Sequence, residues 1–236
     1  MDKVLNQLLD KLRKAYGERL VSVVLYGSAV TGERHAGFSD YNILCVLTEI
    51  TPRELAAGVD LFRWWREQGC PSPLLMTEHE LATSTDCFAI EFRDIQEHHQ
   101  ILAGKDVISG LAVEDGFYRA QVEHDLRAKL LRLRQKASGM LSDANLLRRL
   151  LLDSVSTFAV LFRHSLKLHG IQVPPAKREV FQLARQHFAV DAAPFETLLD
   201  IREGRVKARD FDPVDLLAAC LAGIYKVIDA VDRLEK

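Results

Sequence analysis

The sequence lacks the features that mark several common protein classes. Its four cysteines include no C-x-x-C pair, and their spacing matches no zinc-binding pattern. No apolar run approaches the length of a membrane span, and the N-terminus has no signal-peptide apolar region. We therefore expect a reduced, cytoplasmic protein that does not enter the membrane.

An excess of basic charge is also missing. Lys and Arg number 31 against 33 Asp and Glu, which gives a formal net charge of -2. This balance makes nucleic acid an unlikely partner, although a local basic patch stays open. The hydrophobic share of 48% predicts a folded globular chain, and 236 residues suffice for one large domain or two small ones.

The first half of the chain mixes helix and strand signals. Leucines at helical spacing precede Gly17, and short apolar runs occupy residues 20–26, 41–47 and 73–76. Runs that are apolar on both faces are typical of central strands covered by helices. Residues 86–112 fit either a strand or a helix, and the sequence leaves them open.

Two capping boxes predict helix starts after these strands. Thr51 with Glu54 begins one helix, and Thr77 with Glu80 begins the next. The spacing of apolar residues in the first of these helices predicts a buried stripe made of Leu55, Val59 and Phe62.

The second half of the chain predicts about five helices. Apolar residues step by three or four positions from about residue 115 onward, and Pro174, Pro175 and Pro213 separate the segments. The predicted fold is therefore α/β (α+β) with a small mixed sheet over residues 1–108, followed by an all-α helical bundle over residues 109–236.

The candidate site begins with Gly27 and Ser28, directly after the first strand. Glycine lets the backbone turn sharply and approach a ligand closely. If a helix begins at Ser28, its amides and dipole favour an anion, and the hydroxyl adds a donor. This segment predicts a phosphate-binding site, although an ordinary strand-to-helix turn has the same pattern.

The second half of the site is Asp40-Tyr41-Asn42. Side chains alternate along a strand, so Asp40 and Asn42 point the same way. Two oxygen ligands at this spacing can share a hard cation such as Mg²⁺. A turn-capping role for Asp40 is the alternative.

These residues resemble the signature of the DNA polymerase β-like nucleotidyltransferase superfamily. That signature is Gly-Ser, about ten residues, then Asp-x-Asp or Asp-x-Glu, and here Gly27-Ser28 precedes Asp40-Tyr41-Asn42 by eleven. The resemblance covers roughly residues 20–80 and extends by architecture to stand-alone bacterial nucleotidyltransferase-domain proteins and aminoglycoside nucleotidyltransferases. It implies a nucleotidyltransferase palm, a nucleoside triphosphate as substrate, possible Mg²⁺, and nucleotidyl transfer to a hydroxyl on an unknown acceptor.

The resemblance also implies roles for single residues. Gly27 and Ser28 would hold phosphates, with Arg34 the best candidate in the intervening loop to assist them. Asp40 would be the catalytic metal ligand, assisted by Asn42. The chain departs from the pattern because Asn42 replaces a carboxylate and residues 73–76 carry none. Glu91 and Asp94 are candidates to supply one.

Other interpretations stay open beside this one. The lost carboxylates are equally consistent with a catalytically inactive module that serves binding or regulation. A third alternative is an interaction protein that dimerises through an exposed apolar seam of the bundle. His98-His99, the basic segment 127–136 and the pair Arg163 and His169 also invite functional interpretations, for which plain structural roles are the more common outcome.

Overall fold

The computed structural model describes residues 2–31, 41–113 and 115–234. Two compact units are present, Met1–Phe117 and Tyr118–Lys236. The domain limit proposed between residues 108 and 109 lies upstream of this division and stays a prediction. Across the described ranges, no helix combines the length and the apolar character needed to cross a membrane.

The first unit is built on a four-stranded mixed sheet. Its strands are β1 (Leu20–Tyr26), β2 (Asn42–Leu47), β3 (Leu74–Thr77) and β4 (His99–Gly104). The strand order is β3-β2-β1-β4, with β1 antiparallel to both neighbours and β2 parallel to β3. The three apolar runs thus form strands as predicted, and β1 and β2 are central because both their faces are covered.

Helices cover both faces of this sheet. They are α1 (Lys3–Tyr16), α2 (Ser28–Thr31), α3 (Pro52–Ala57), α4 (Val59–Glu67), α5 (Glu78–Thr83) and α6 (Ala89–Glu97). The leucines of α1, with Leu61 and Trp65 of α4, pack on one face. On the other face, Leu81 of α5 packs with Phe92 and Ile95 of α6.

The ambiguous segment 86–112 resolves into α6 followed by β4. Ala89, Ile90, Phe92 and Ile95 are buried, and their spacing is helical once the whole segment is considered. Its five apolar-rich residues 88–92 were too short for their period to distinguish a helix from a strand. The burial of Phe92 and Ile95 against the sheet therefore fixes α6 through tertiary packing.

The predicted stripe of Leu55, Val59 and Phe62 is wrong. Leu55 and Val59 are 50% and 49% exposed, and Phe62 is half-buried. The buried face instead follows Glu54, Gly58, Leu61 and Trp65, at intervals of four, three and four residues.

The reason is that Glu54 takes an interior position. Its carboxylate accepts hydrogen bonds from the Thr51 amide and hydroxyl, which completes the predicted capping box. The Arg19 guanidinium lies 2.7 Å from the other carboxylate oxygen. A carboxylate satisfied in this way can be buried, and with Glu54 facing the interior the next residue, Leu55, points away from the core.

The second unit consists of helices, as predicted. They are α7 (Asp115–Ser138), α8 (Ala144–Leu168), α9 (Lys177–Phe188), α10 (Ala193–Arg202) and α11 (Pro213–Asp232). Rings of Phe162, Phe181 and Phe195 meet where three of these helices pack, with centroids 4.7–5.7 Å apart. A small mixed sheet with helices, followed by an all-helical region, confirms the predicted fold class.

Candidate functional site

Three strand ends meet beside the turn that follows β1. Tyr26, the last residue of β1, pairs with Asn42 at the start of β2 and with His99 at the start of β4. Because β1 is antiparallel to both neighbours, its exit lies against their first residues. The two halves of the predicted motif therefore converge through backbone pairing.

Gly27 makes the turn itself. Its φ of +78° lies in the left-handed region, where a side chain is strained. A Cβ at this position would lie 3.1 Å from Nδ2 of Asn42, so the carboxamide of Asn42 closes directly on the glycine. This contact joins the two halves of the motif within the first unit.

The backbone around Gly27 is held on both sides. Its N–H donates to the carbonyl of His98 at 3.2 Å, and its carbonyl accepts from the Val30 amide at 2.9 Å. Helix α2 begins at Ser28, which meets the condition under which the sequence analysis expects a phosphate-binding turn. The amides of Gly27 and Val30 are therefore both engaged in hydrogen bonds that hold the turn.

Asn42 and Tyr26 share one face of the sheet with α6. Side chains two residues apart in a strand point the same way, and Val24 and Leu44 belong to the cluster that contains Phe92 of α6. Tyr26 packs against the same cluster, and Asn42 lies directly opposite Tyr26. The face that carries the motif is thus the face that α6 covers.

Tyr26 is affected by its burial and by the charge of Glu91 on α6. Burial raises the pKa of the Tyr26 phenol, and the negative charge of Glu91 raises it further. Glu91 itself is exposed, whereas Phe92 beside it is buried. Sequence reasoning named Glu91 as a candidate, yet it could not place the residue because the segment had no assigned structure.

The other predicted site residues have different outcomes. Arg34, Asp40 and the side chain of Ser28 lie outside the described residues. Glu78, an acidic residue just past β3 that was not a site candidate, is in the first turn of α5 and forms an ion pair with Lys105. Asp94 is half-buried on α6, three residues after Glu91.

The adjacent histidines have separate structural roles. His98 ends α6, and the Nδ1 atom of His99 lies 2.8 Å from the Ile95 carbonyl. Over the described ranges, no three His, Cys, Asp or Glu side chains group as a metal site would require. The pair is therefore explained by the end of a helix and the start of a strand.

Structural partners account for some of the candidates in the second unit. His164, the residue after Arg163, is fully buried, and its Nδ1 lies 2.6 Å from the Tyr118 hydroxyl. Nδ1 of His169 lies 2.8 Å from the Ser165 carbonyl. Arg127, at the start of the basic segment, pairs with Glu123 and Asp232.

Comparison with solved structures assigns the architecture. Spectinomycin adenyltransferase AAD(9) from Enterococcus faecialis, determined with ATP and spectinomycin, matches with a TM-score of 0.62. The match covers 97% of this chain and 98% of that one at 12% sequence identity. The chain has a nucleotidyltransferase-like fold. No protein-family model and no curated protein matches the chain.

Proposed function

We propose that this chain binds a nucleoside triphosphate at the turn after β1 and transfers its nucleotidyl group to a hydroxyl acceptor. The observation that carries the proposal is the contact between Gly27 and Asn42. The Gly27 turn, where we propose that phosphates bind, lies against Asn42, which we propose as a metal ligand. Both residues stand where paired strands β1 and β2 end and begin. Phosphoryl-transfer sites combine these two elements.

The phosphates would be held mainly by backbone. Gly27 has no side chain to block close approach. The amides at the start of α2 would donate to the phosphates, except that of Val30, which bonds to the Gly27 carbonyl. Ser28 would add its hydroxyl and Arg34 its positive charge, both as inferred from the sequence. The Gly27 amide would hold the turn in shape through its bond to the His98 carbonyl.

A single Mg²⁺ ion, arriving with the nucleotide, fits the residues better than two. Asp40 would supply the charged ligand, and Asn42 can offer only a neutral carbonyl oxygen. Strand β3, with the sequence LLMT, supplies no further carboxylate. When bound, the ion would offset negative charge on the phosphates during transfer.

The shared fold supports a small-molecule acceptor with a hydroxyl group. AAD(9) was determined with ATP and spectinomycin bound together. By analogy of fold, we infer ATP as the first nucleotide to test and spectinomycin as a first acceptor probe. The net charge of -2 gives no support to nucleic acid as the acceptor.

A catalytically inactive nucleotide-binding or regulatory module is the alternative. The observation that favours it is the neutral Asn42 combined with a β3 strand that has no carboxylate. Such a module would keep the Gly27 turn and bind nucleotide without releasing pyrophosphate. The enzyme and the inactive module therefore differ in whether pyrophosphate is released, which can be measured.

The first test is calorimetric titration with ATP and with GTP, each with and without Mg²⁺. Binding that depends on Mg²⁺ and is lost in Asp40→Ala would support the site. Asp60→Ala is a matched control, because Asp60 is a surface residue of α4 whose side chain is 93% exposed. No binding of either nucleotide at millimolar concentration would refute the proposal.

The second test separates the enzyme from the inactive module. Pyrophosphate release from ATP is followed with spectinomycin as the acceptor and with water alone. Release that requires Asp40 would establish transfer. Magnesium-dependent binding without release would favour the regulatory module.

A further inference from the structure

We propose that the groove between α7 and α8 binds a small ligand that carries two or more phosphate groups. The groove has a volume of about 320 Å³ and lies within the second unit. Every residue that lines it belongs to α7 or α8, so it shares no residue with the Gly27 turn. The inference therefore does not rest on the proposed function.

Three basic side chains form one wall of the groove. They are Lys129, Arg132 and Lys136 of α7, which follow one another at intervals of three and four residues. Residues at these intervals lie along one side of a helix, so the three charges form a row about 10 Å long. All three residues are exposed, and a ligand in the groove can therefore reach them.

This basic row has no acidic partner. Within the described ranges none of its three residues forms an ion pair, whereas Arg119 and Arg127 of the same helix both pair with Glu123. Like charges three and four residues apart destabilise a helix. A bound anion would offset the repulsion that the fold leaves along this row.

The wall that α8 contributes supplies hydroxyl groups. Ser154 and Thr157 both line the groove. The Ser154 hydroxyl donates to the Leu150 carbonyl at 2.7 Å, a bond that serines often make within a helix. The hydroxyl of half-buried Thr157 has no hydrogen bond to the rest of the described chain. Thr157 can therefore donate to a ligand oxygen on the side of the groove opposite the basic row.

The charge balance of the groove favours an anion with more than one negative charge. Asp153 is the single acidic residue among those that line it, and this exposed carboxylate forms no ion pair with the basic row. Three positive charges against one negative charge leave a local balance of +2, in a chain whose formal net charge is -2. Leu133, Leu150 and Phe158 are buried at the base of the groove, and their apolar surroundings strengthen the attraction between charges.

Size and donor chemistry favour a small phosphorylated ligand. The groove volume of about 320 Å³ is near the lower end of the range for small-molecule sites, about 300–1,000 Å³. The Arg132 guanidinium can bind two oxygens of one phosphate, and the ammonium groups of Lys129 and Lys136 can each bind an oxygen of a phosphate beside it. A nucleic-acid interface that engages about 6–10 phosphates would need a longer row.

The site is tested by calorimetric titration with inorganic pyrophosphate, in EDTA and without Mg²⁺. The wild type should bind pyrophosphate, and Arg132→Gln should weaken the affinity at least about tenfold, because a hydrogen bond to a charged group is lost. Arg134→Gln is the matched control. Arg134 is exposed and lies about 200° around the helix from Arg132, where its guanidinium contacts the Tyr225 hydroxyl. Its removal should leave the affinity within about twofold of the wild type.

The wall formed by α8 is tested separately. Thr157→Val removes the hydroxyl at nearly constant size and should weaken pyrophosphate binding about threefold to tenfold, as the loss of a neutral hydrogen bond does. Ser154→Ala is its control, since that hydroxyl already donates within its own helix, and this variant should bind like the wild type. Gly27→Ala should also bind pyrophosphate like the wild type, which separates the groove from the nucleotide site.

Two results would overturn the inference directly. They are the absence of pyrophosphate binding at millimolar concentration and equal affinity in the wild type and Arg132→Gln. If citrate bound through Arg132 as tightly as pyrophosphate, the assignment to phosphate would be wrong. If a short oligothymidylate bound through Arg132 more tightly than pyrophosphate, nucleic acid would replace the small ligand. None of these results depends on ATP binding, so each leaves the proposed function intact.

Discussion

The carboxamide of Asn42 closes the space beside the α-carbon of Gly27, where a Cβ would lie 3.1 Å from Nδ2. Gly27→Ala should therefore combine backbone strain with a contact against Asn42. We expect a loss of about 1–2 kcal/mol in the free energy of unfolding, and a drop of at least about tenfold in nucleotide affinity because the backbone approach is blocked. Denaturant titration and calorimetry measure the two effects.

Gly69→Ala is the matched control for this variant. Gly69 has a φ of +79°, almost the same as Gly27, but a Cβ there would meet nothing within 4 Å. Gly69→Ala should lower the free energy of unfolding through backbone strain alone, and it should leave the nucleotide affinity unchanged. If Gly27→Ala bound ATP as tightly as the wild type, the turn after β1 would not be the phosphate-binding site.

The chemistry of Asn42 gives a second prediction. Asn42→Asp adds the carboxylate that the superfamily signature has at this position, at nearly constant size. Because ligand charge strengthens the binding of hard cations, the Mg²⁺-dependent part of the nucleotide affinity should rise at least about fivefold. Calorimetry with and without Mg²⁺ isolates that part.

Asn42→Ala is the companion variant, since it removes the carbonyl oxygen and should weaken the Mg²⁺-dependent part. Nucleotide binding measured without Mg²⁺ should change little in either variant. If nucleotide affinity depended equally on Mg²⁺ in the wild type, Asn42→Asp and Asn42→Ala, Asn42 would not contact the ion.

Three of the four strands were predictable from sequence, whereas β4 lay in the segment that the sequence left open. Residues 20–26 and 42–47 are apolar on both faces, and the structure gives strands β1 and β2 there. The capping boxes at Thr51 and Thr77 also predicted helix starts correctly, since each uses only local hydrogen bonds. The sequence placed Gly27 and Asn42 beside neighbouring strands, and the structure shows that antiparallel pairing of those strands brings the two residues together.

Features that depend on tertiary contacts were not predictable. Glu54 is buried because Arg19, 35 residues earlier, reaches it, and nothing local in the sequence of α3 indicates that pairing. Glu91 could be named as a candidate, but its place on a helix covering the sheet depends on Phe92 and Ile95 packing there. In both cases a charged residue is placed by distant partners rather than by its own helix.

The ion pair between half-buried Arg19 and buried Glu54 predicts a pH-dependent stability. Hydrogen bonds from Thr51 lower the pKa of the Glu54 carboxyl, and the charge of Arg19 adds to the effect. A lowered pKa stabilises the fold above the ordinary glutamate range, and this stabilisation is lost as pH falls through the folded-state value. The Tm of Glu54→Gln should therefore lie at least about 4 °C below the wild type near neutral pH.

The gap in Tm should shrink as the solution becomes acidic, because the wild-type carboxyl is then protonated as well. Glu80→Gln is the control, since Glu80 occupies the same capping-box position at Thr77 but is exposed. Its Tm should stay within about 2 °C of the wild type. A gap for Glu54→Gln that is constant across this pH range would contradict the assigned ionisation.

The last prediction concerns Gly223 in the middle of α11. A Cβ there would lie 2.8 Å from Cε2 of Phe195, whose ring stacks on Phe181 at 4.7 Å and so cannot easily retreat. Alanine favours a helix over glycine by about 1 kcal/mol, but overpacking costs about 1–3 kcal/mol. Gly223→Ala should therefore destabilise the protein by about 1 kcal/mol in denaturant titration.

A double-mutant cycle separates the two effects. In a Phe195→Leu background the clash is relieved, so adding Gly223→Ala should become neutral or stabilising by up to about 1 kcal/mol. Ala222→Gly, at an exposed position beside it, measures the helix preference alone. If Gly223→Ala stabilised the otherwise wild-type protein, close packing of Phe195 on α11 would not be what requires glycine there.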